Sequence, residues 1–138
     1  TRMARRIYEA RTCLNYRESI LSPYPILGLK LFNVMLKPFG YIEFHIDTGF
    51  EGSIMLKSSN YSFFQVGELP REYWRTYRTL AGVVVMRVSR AIVEVNGRRF
   101  ETYVETPLFG QGKNIVGREF INKLVLILDG PRRLCCLD

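Results

Sequence analysis

The run from Val83 to Val95, followed by Asn96-Gly97, constrains this chain more than any other stretch. Val83-Val84-Val85 opens a segment rich in β-branched residues, which suit a pleated strand better than a helix. Asn-Gly supplies the two positive-φ positions of a tight hairpin turn, and Phe100 to Val104 reads as the returning strand. The same pattern recurs elsewhere. Leu29 to Leu36 reads as a strand, Lys37-Pro38-Phe39-Gly40 as a turn, and Tyr41 to Ile46 as an alternating strand that pairs with the first. Ser53 to Leu56 is a short apolar strand, and Val125 to Leu128 is another, closed by Asp129-Gly130-Pro131. Phe120, Ile121 and Leu124 give Glu119 to Leu124 a short helical face. Pro70 to Leu80, dense in Arg, Tyr and Trp74, does not read as a clean strand. Many short strands, glycine turns and one late helix predict a mainly-β barrel or sandwich.

At 138 residues the chain is the size of one domain. Hydrophobic residues make up 47% and charged residues 24%, so a packed core is expected rather than disorder. No apolar run approaches the roughly 18 residues of a membrane span. Tyr24 to Leu36 comes nearest, and Lys30 interrupts it. Arg2, Arg5 and Arg6 are not followed by the apolar stretch of a signal peptide. A soluble, cytoplasmic protein is the expectation. The net charge is +7, with seven Arg against two Glu in residues 71–100. Such a face could steer nucleic acid. No recognition helix or aromatic RNA-binding motif accompanies the arginines, so a solvated surface is expected and nucleic acid is not the expected partner.

Cys135 and Cys136 are adjacent and the third cysteine is Cys13, which makes neither a CxxC pair nor a disulfide framework. Buried or free thiols are expected; a bridge from Cys13 to one C-terminal cysteine requires the termini to meet. His45, the one histidine, cannot complete a zinc site with them. No metal and no cofactor is expected. Gly110-Gln111-Gly112-Lys113 lacks the spacing, the following Ser or Thr and the long helix of a phosphate loop.

The candidate chemistry lies at Asp47. The chain has three aspartates; Asp138 is terminal and Asp129 sits at a strand-to-turn boundary. Asp47 follows an apolar strand and precedes Thr48 and Gly49, a hydroxyl and a backbone without a side chain. Such a turn can hold a carboxylate ionised and oriented through hydrogen bonds. An ordinary Asx-type turn has the same three residues.

Asp47-Thr48-Gly49-Phe50-Glu51-Gly52-Ser53 after an apolar strand resembles the active-site turn of retropepsin-like aspartic proteases. Asn114-Ile115-Val116-Gly117-Arg118, entering a short helix, resembles that family's second-half motif. The resemblance covers roughly Leu29 to Asp138. It implies a closed β-barrel of the acid-protease fold over residues 28–138, with residues 1–27 as an N-terminal extension outside the pattern. Phe50 departs from the small residue usual in the retroviral enzymes. The family's flap should be a hairpin with a glycine-containing tip, and Thr79-Leu80-Ala81-Gly82 is the candidate.

The resemblance implies roles for individual residues. Asp47, Thr48 and Gly49 would form the catalytic turn. Phe50, Glu51, Ala81, Gly82, Ile115 and Val116 would contact substrate, and Glu51 would form an ion pair with Arg118. Aspartic peptidase chemistry needs two carboxylates sharing a water. One Asp motif per chain therefore implies a two-fold homodimer, with Arg133 to Leu137 as a strand in a dimer sheet. An extended peptide or unfolded protein would be the substrate, paired with the flap through its backbone. His45 lies two residues before Asp47 and so points to the same side of an ideal strand; an ordinary packed or hydrogen-bonded histidine is expected. Two other readings stay open: the same fold as a non-catalytic dimerisation or peptide-binding module, and a small basic barrel that binds nucleic acid.

Overall fold

The computed structural model describes residues 7–138. Arg2, Arg5 and Arg6 lie outside the described residues. The long predicted hairpin forms: β6 (Gly82–Val95) and β7 (Arg98–Pro107) pair antiparallel from Met86 opposite Pro107 to Val95 opposite Arg98. Asn96 and Gly97 both take positive φ at the turn, 54° and 75°, as a two-residue turn of this kind requires. Around this hairpin wrap β2 (Ile26–Phe32), β3 (Pro38–Ile46), β4 (Ile54–Met55) and β8 (Ile115–Val116). The order is β2-β3-β8-β4-β7-β6, and β2 also pairs with the end of β6, so the sheet closes on itself. Closure removes the unpaired edges an open sheet would expose. Among the described residues β5 (Arg75–Thr79) pairs only with β6 and stands off the ring as a hairpin arm.

The barrel is filled by the inward side chains of these strands. Leu29, Leu31, Phe44, Ile54, Val93, Val104, Val116 and Phe120 are buried in one cluster. Phe120 comes from α2 (Arg118–Ile121), which is shorter than the predicted Glu119 to Leu124; single turns bonded at Lys123 and Leu124 carry the chain onward. Among the described residues no helix is long and apolar enough to cross a membrane.

Several boundaries moved for identifiable reasons. The predicted strand over Leu29 to Leu36 and turn at Lys37 to Gly40 are shifted towards the N-terminus. Asn33 is the cause: its carboxamide oxygen accepts the Met35 and Lys37 N–H groups at 2.9 and 3.1 Å. That closes the turn early, with Leu36 at φ 62°, and strand β3 restarts at Pro38. Between β4 and β5 the chain makes α1 (Ser58–Tyr61) and two 3-10 turns, Ser62–Gly67 and Arg71–Tyr73. Tyr61 and Phe64 from this segment are buried against the barrel.

A second, three-stranded sheet joins the ends of the chain. β1 (Thr12–Asn15) pairs with β10 (Leu134–Leu137), which pairs with β9 (Leu126–Asp129). Asp129 accepts the Arg132 N–H at 3.1 Å, the turn role expected of it. Residues 12–15 and Arg17, which bridges to Tyr24, therefore lie against the domain, and β2 already begins at Ile26. The expectation of free thiols is corrected here. The β1–β10 register sets Cys13 opposite Cys136, with Cα atoms 4.1 Å apart, and the two form a disulfide. Alternation along β10 turns Cys135 to the other face, where it is buried and reduced. Burial pushes its thiol up to about 11.

Candidate active site

The turn after β3 is held by its own atoms and by the second motif. The Asp47 N–H donates to Val116 O at 2.9 Å, and the Phe50 N–H donates to Asp47 O at 3.2 Å. The Gly49 N–H donates to the Asp47 carboxylate at 2.9 Å, which orients Oδ1. Three successive N–H groups of the second motif then reach back to the turn. Gly117 donates to Ser53 O at 2.7 Å, Arg118 to Phe50 O at 2.8 Å and Glu119 to Gly52 O at 3.1 Å. These are amides that the start of a helix leaves without intrahelical partners. The two motifs, far apart in sequence, thus form one interlocked backbone unit.

Close approach explains the glycines in it. A Cβ on Gly117 would lie 2.6 Å from Phe50 Cδ2 and 2.7 Å from Phe50 O, and closer still to Gly52 O. A Cβ on Gly52 would strike the Glu105 carboxylate, and would lie 2.7 Å from the Tyr77 hydroxyl.

The carboxylate of Asp47 opens into a cleft of about 840 Å³. Gly49, Phe50, Glu51 and Ile115 line it from the two motifs, and Thr76 to Thr79, Val84 and Met86 line it from the β5–β6 hairpin. His45 is at its edge, with its ring 4.4 Å from that of Tyr24. Not every residue expected to contact substrate lines this cleft within one chain. Val116 faces the core and is fully buried, because on the two-residue strand β8 only Ile115 can point to the cleft. Ala81 and Gly82 sit at the exposed hairpin tip, outside the lining residues. Thr48 is exposed beside the turn. Arg118 Nη2 lies 3.5 Å from Glu51 Oε1, with both side chains largely in water. At that exposure the pair adds little stability.

The predicted flap tip does form a turn. The Thr79 hydroxyl donates to Gly82 O at 2.9 Å and accepts the Ala81 N–H at 3.2 Å. The strand before it, unreadable from the sequence, is β5. Its pattern is obscured because its half-buried face carries Arg75 and Tyr77 in place of apolar residues.

Those two residues meet a group that sequence reasoning missed. Glu105 on β7 has no exposed surface. It accepts the Tyr77 hydroxyl at 2.6 Å, Arg75 Nη1 at 3.1 Å and the Ser53 N–H at 3.2 Å. Arg75 also makes a two-point contact with Glu119, at 3.1 and 3.0 Å. Burial raises the Glu105 carboxyl above its ordinary range, while Tyr77, Arg75 and the Ser53 amide pull it down. Burial works against the charge of Arg75, but Glu119 and Glu105 outweigh it and raise its pKa. Tyr77 is raised by burial and by the hydrogen bond to Glu105. The return strand expected from the sequence ends at Val104, and no signal there distinguishes Glu105. Among the described residues no three His, Cys, Asp or Glu side chains converge as a metal site would need.

A six-strand ring, a separate terminal sheet and a carboxylate-bearing turn facing a hairpin together describe an acid-protease architecture. Among solved structures the chain is similar to a retropepsin-like aspartic protease from Rickettsia conorii, at 16% identity and TM-score 0.54. That match covers 95% of this chain and 94% of the other. It is also similar to the EIAV protease in complex with the inhibitor HBY-793, at 17% identity and TM-score 0.48, covering 78% of this chain and 93% of that one. No protein-family model matches the chain, and no curated protein matches it. The chain has the retropepsin-like fold.

Proposed function

We propose that the chain is an aspartic endopeptidase that works as a two-fold homodimer on extended or unfolded polypeptide. The observation that carries this reading is the Asp47 carboxylate, oriented by the Gly49 amide at the wall of a cleft shared with the β5–β6 hairpin. One such turn per chain supplies one carboxylate. The second is Asp47 of another copy, brought to the first by a two-fold axis. Two carboxylates a few ångströms apart cannot both ionise readily, so one acts as base while the other keeps its proton. The base deprotonates a water as the water attacks the peptide carbonyl. The protonated partner donates to the carbonyl oxygen as it becomes tetrahedral, and a proton passes to the leaving nitrogen as the C–N bond breaks.

The remaining residues take supporting roles in this reading. The exposed Thr48 hydroxyl is open to its symmetry mate beneath the pair of carboxylates. Substrate lies along the hairpin and pairs with its backbone, while Phe50, Met55, Val84 and Ile115 offer apolar contact to its side chains. In this reading the Glu51–Arg118 pair, which forms within one chain just beyond the turn, would stand near the dimer interface.

The test is Asp47→Asn, which keeps size and removes the charge. Wild type and variant are incubated with an unfolded protein from acidic to neutral pH, products are read by mass spectrometry, and association state by analytical ultracentrifugation. Cleavage by a wild-type dimer and none by a folded variant is expected. Equal cleavage by both proteins would refute the assignment of Asp47. A dimer that binds the substrate and leaves it intact would assign the cleft to peptide capture.

A further inference from the structure

Glu105 is the most deeply buried acid near the cleft, and what it holds is not its own strand. Its three donors come from two separate segments: Ser53, six residues after Asp47, and the arm strand β5 through Arg75 and Tyr77. Arg75 extends the hold to α2 through Glu119. The Tyr77 ring lies edge-on to Phe50 of the Asp47 turn, 5.5 Å between centroids. Among the described residues, what holds strand β5 besides its pairing with β6 runs through the side chains of Arg75 and Tyr77. Thr76, Arg78 and Thr79 are exposed, so Arg75 and Tyr77 are its inward anchors.

Burying a carboxylate is costly unless it is paired and fully hydrogen-bonded. An apolar side chain of similar volume would fill the same space without that cost. What the carboxylate alone supplies is a directed hold on β5 and on the segment that follows Asp47. We propose that Glu105 is a positioning residue that fixes the β5–β6 hairpin at a set height over the Asp47 cleft, so that engagement of an extended peptide depends on it. Its kinetic consequence rests on the function proposed above; its conformational consequence does not.

Glu105→Gln keeps the shape and replaces one acceptor oxygen with an amide donor that faces Arg75 or Tyr77. Tyr77→Phe removes a single hydrogen bond and guards against a Glu105 variant that fails to fold. Val93→Ala, in the core of the barrel, serves as the variant destabilised without touching the cluster. Hydrogen exchange is measured residue by residue, binding is measured with fluorescein-labelled casein, and cleavage of the same casein gives KM and kcat. Both cluster variants are expected to exchange roughly tenfold faster at residues 76–86 than the rest of the barrel changes, the scale of one lost charge-assisted hydrogen bond. Casein binding weakens several-fold, and KM rises more than kcat falls. Val93→Ala speeds exchange across the barrel without favouring the hairpin.

Hairpin exchange unchanged in both cluster variants would overturn the proposal, as would a pattern matching that of Val93→Ala. If wild type cleaves nothing, the proposed activity fails while exchange and casein binding still decide the role of Glu105.

Discussion

Replacing Gly117 by alanine tests whether the two motifs are locked together as closely as their backbone hydrogen bonds indicate. Gly117 has φ −107° and ψ −178°, a conformation open to any residue, so alanine brings no backbone strain. On its own account it would even stabilise, by about 0.4–1 kcal/mol, through a less flexible unfolded chain. The steric term opposes this. The new methyl would stand 2.7 Å from Phe50 O and 2.6 Å from Phe50 Cδ2, where ordinary contact begins at 3.4 Å, and nearer still to Gly52 O. Two of these three atoms are backbone carbonyls that already accept the Arg118 and Glu119 N–H groups. Neither can move without stretching those bonds. Overpacking against an unyielding wall costs about 3 kcal/mol, and the net loss of about 2–3 kcal/mol lowers Tm by roughly 10 °C for a domain of this size. Urea melts followed by circular dichroism, with the m-value unchanged, measure it. Gly130→Ala is the control, since nothing among the described residues lies within 4 Å of its Cβ position. A Gly117 variant within about 0.5 kcal/mol of wild type, the scatter of neutral surface changes, would refute the interlock.

Two further perturbations follow from the same structure. The Cys13–Cys136 bridge spans 123 residues of sequence, and chain entropy sets a loss of up to about 5 kcal/mol on its reduction. Melts with and without reductant measure the loss, and coincident curves would refute it; finding the bridge intact in extracted protein would speak for an oxidising compartment over the expected cytoplasm. For Glu105, burial raises the folded-state pKa above the ordinary 4.5, so the native chain binds its proton at higher pH than the unfolded chain does. The part of the stability linked to that proton is therefore fully present below pH 4.5 and is lost as pH rises through the raised value, while the hydrogen bonds to the carboxylate remain. Glu105→Gln removes that titration, so its stability relative to wild type should improve as pH climbs from about 4 towards neutral. A difference that stays flat across that range would refute the shift.

The most legible elements were those whose signal lies within a few residues. Asn96-Gly97 specifies a turn by the φ values it tolerates, and its flanking strands formed where expected. The apolar strand leading into Asp47-Thr48-Gly49 was legible for the same reason. Asn33 was not, because a side chain that accepts two amides ends a strand just where its neighbours keep the apolar pattern going. Strand β5 was hidden by Arg75 and Tyr77, polar residues turned inward. In the site, Val116 was placed in the cleft by its neighbours in the motif, whereas strand alternation sends it to the core.

By itself the sequence determined local backbone chemistry: where the chain turns, which runs are extended, and that a carboxylate stands at the end of a strand. Only the tertiary structure decided which distant groups meet. Cys13 faces Cys136 because β1 lies in register on β10, and neither sequence neighbourhood encodes that register. Glu105 is an anchor and not a surface acid because the β5–β6 arm and the Ser53 segment close over it. The physical reason is common to both. Periodicity reports which face of an element is apolar, but the partner of a polar group is set by closure of the whole barrel, which no single element contains.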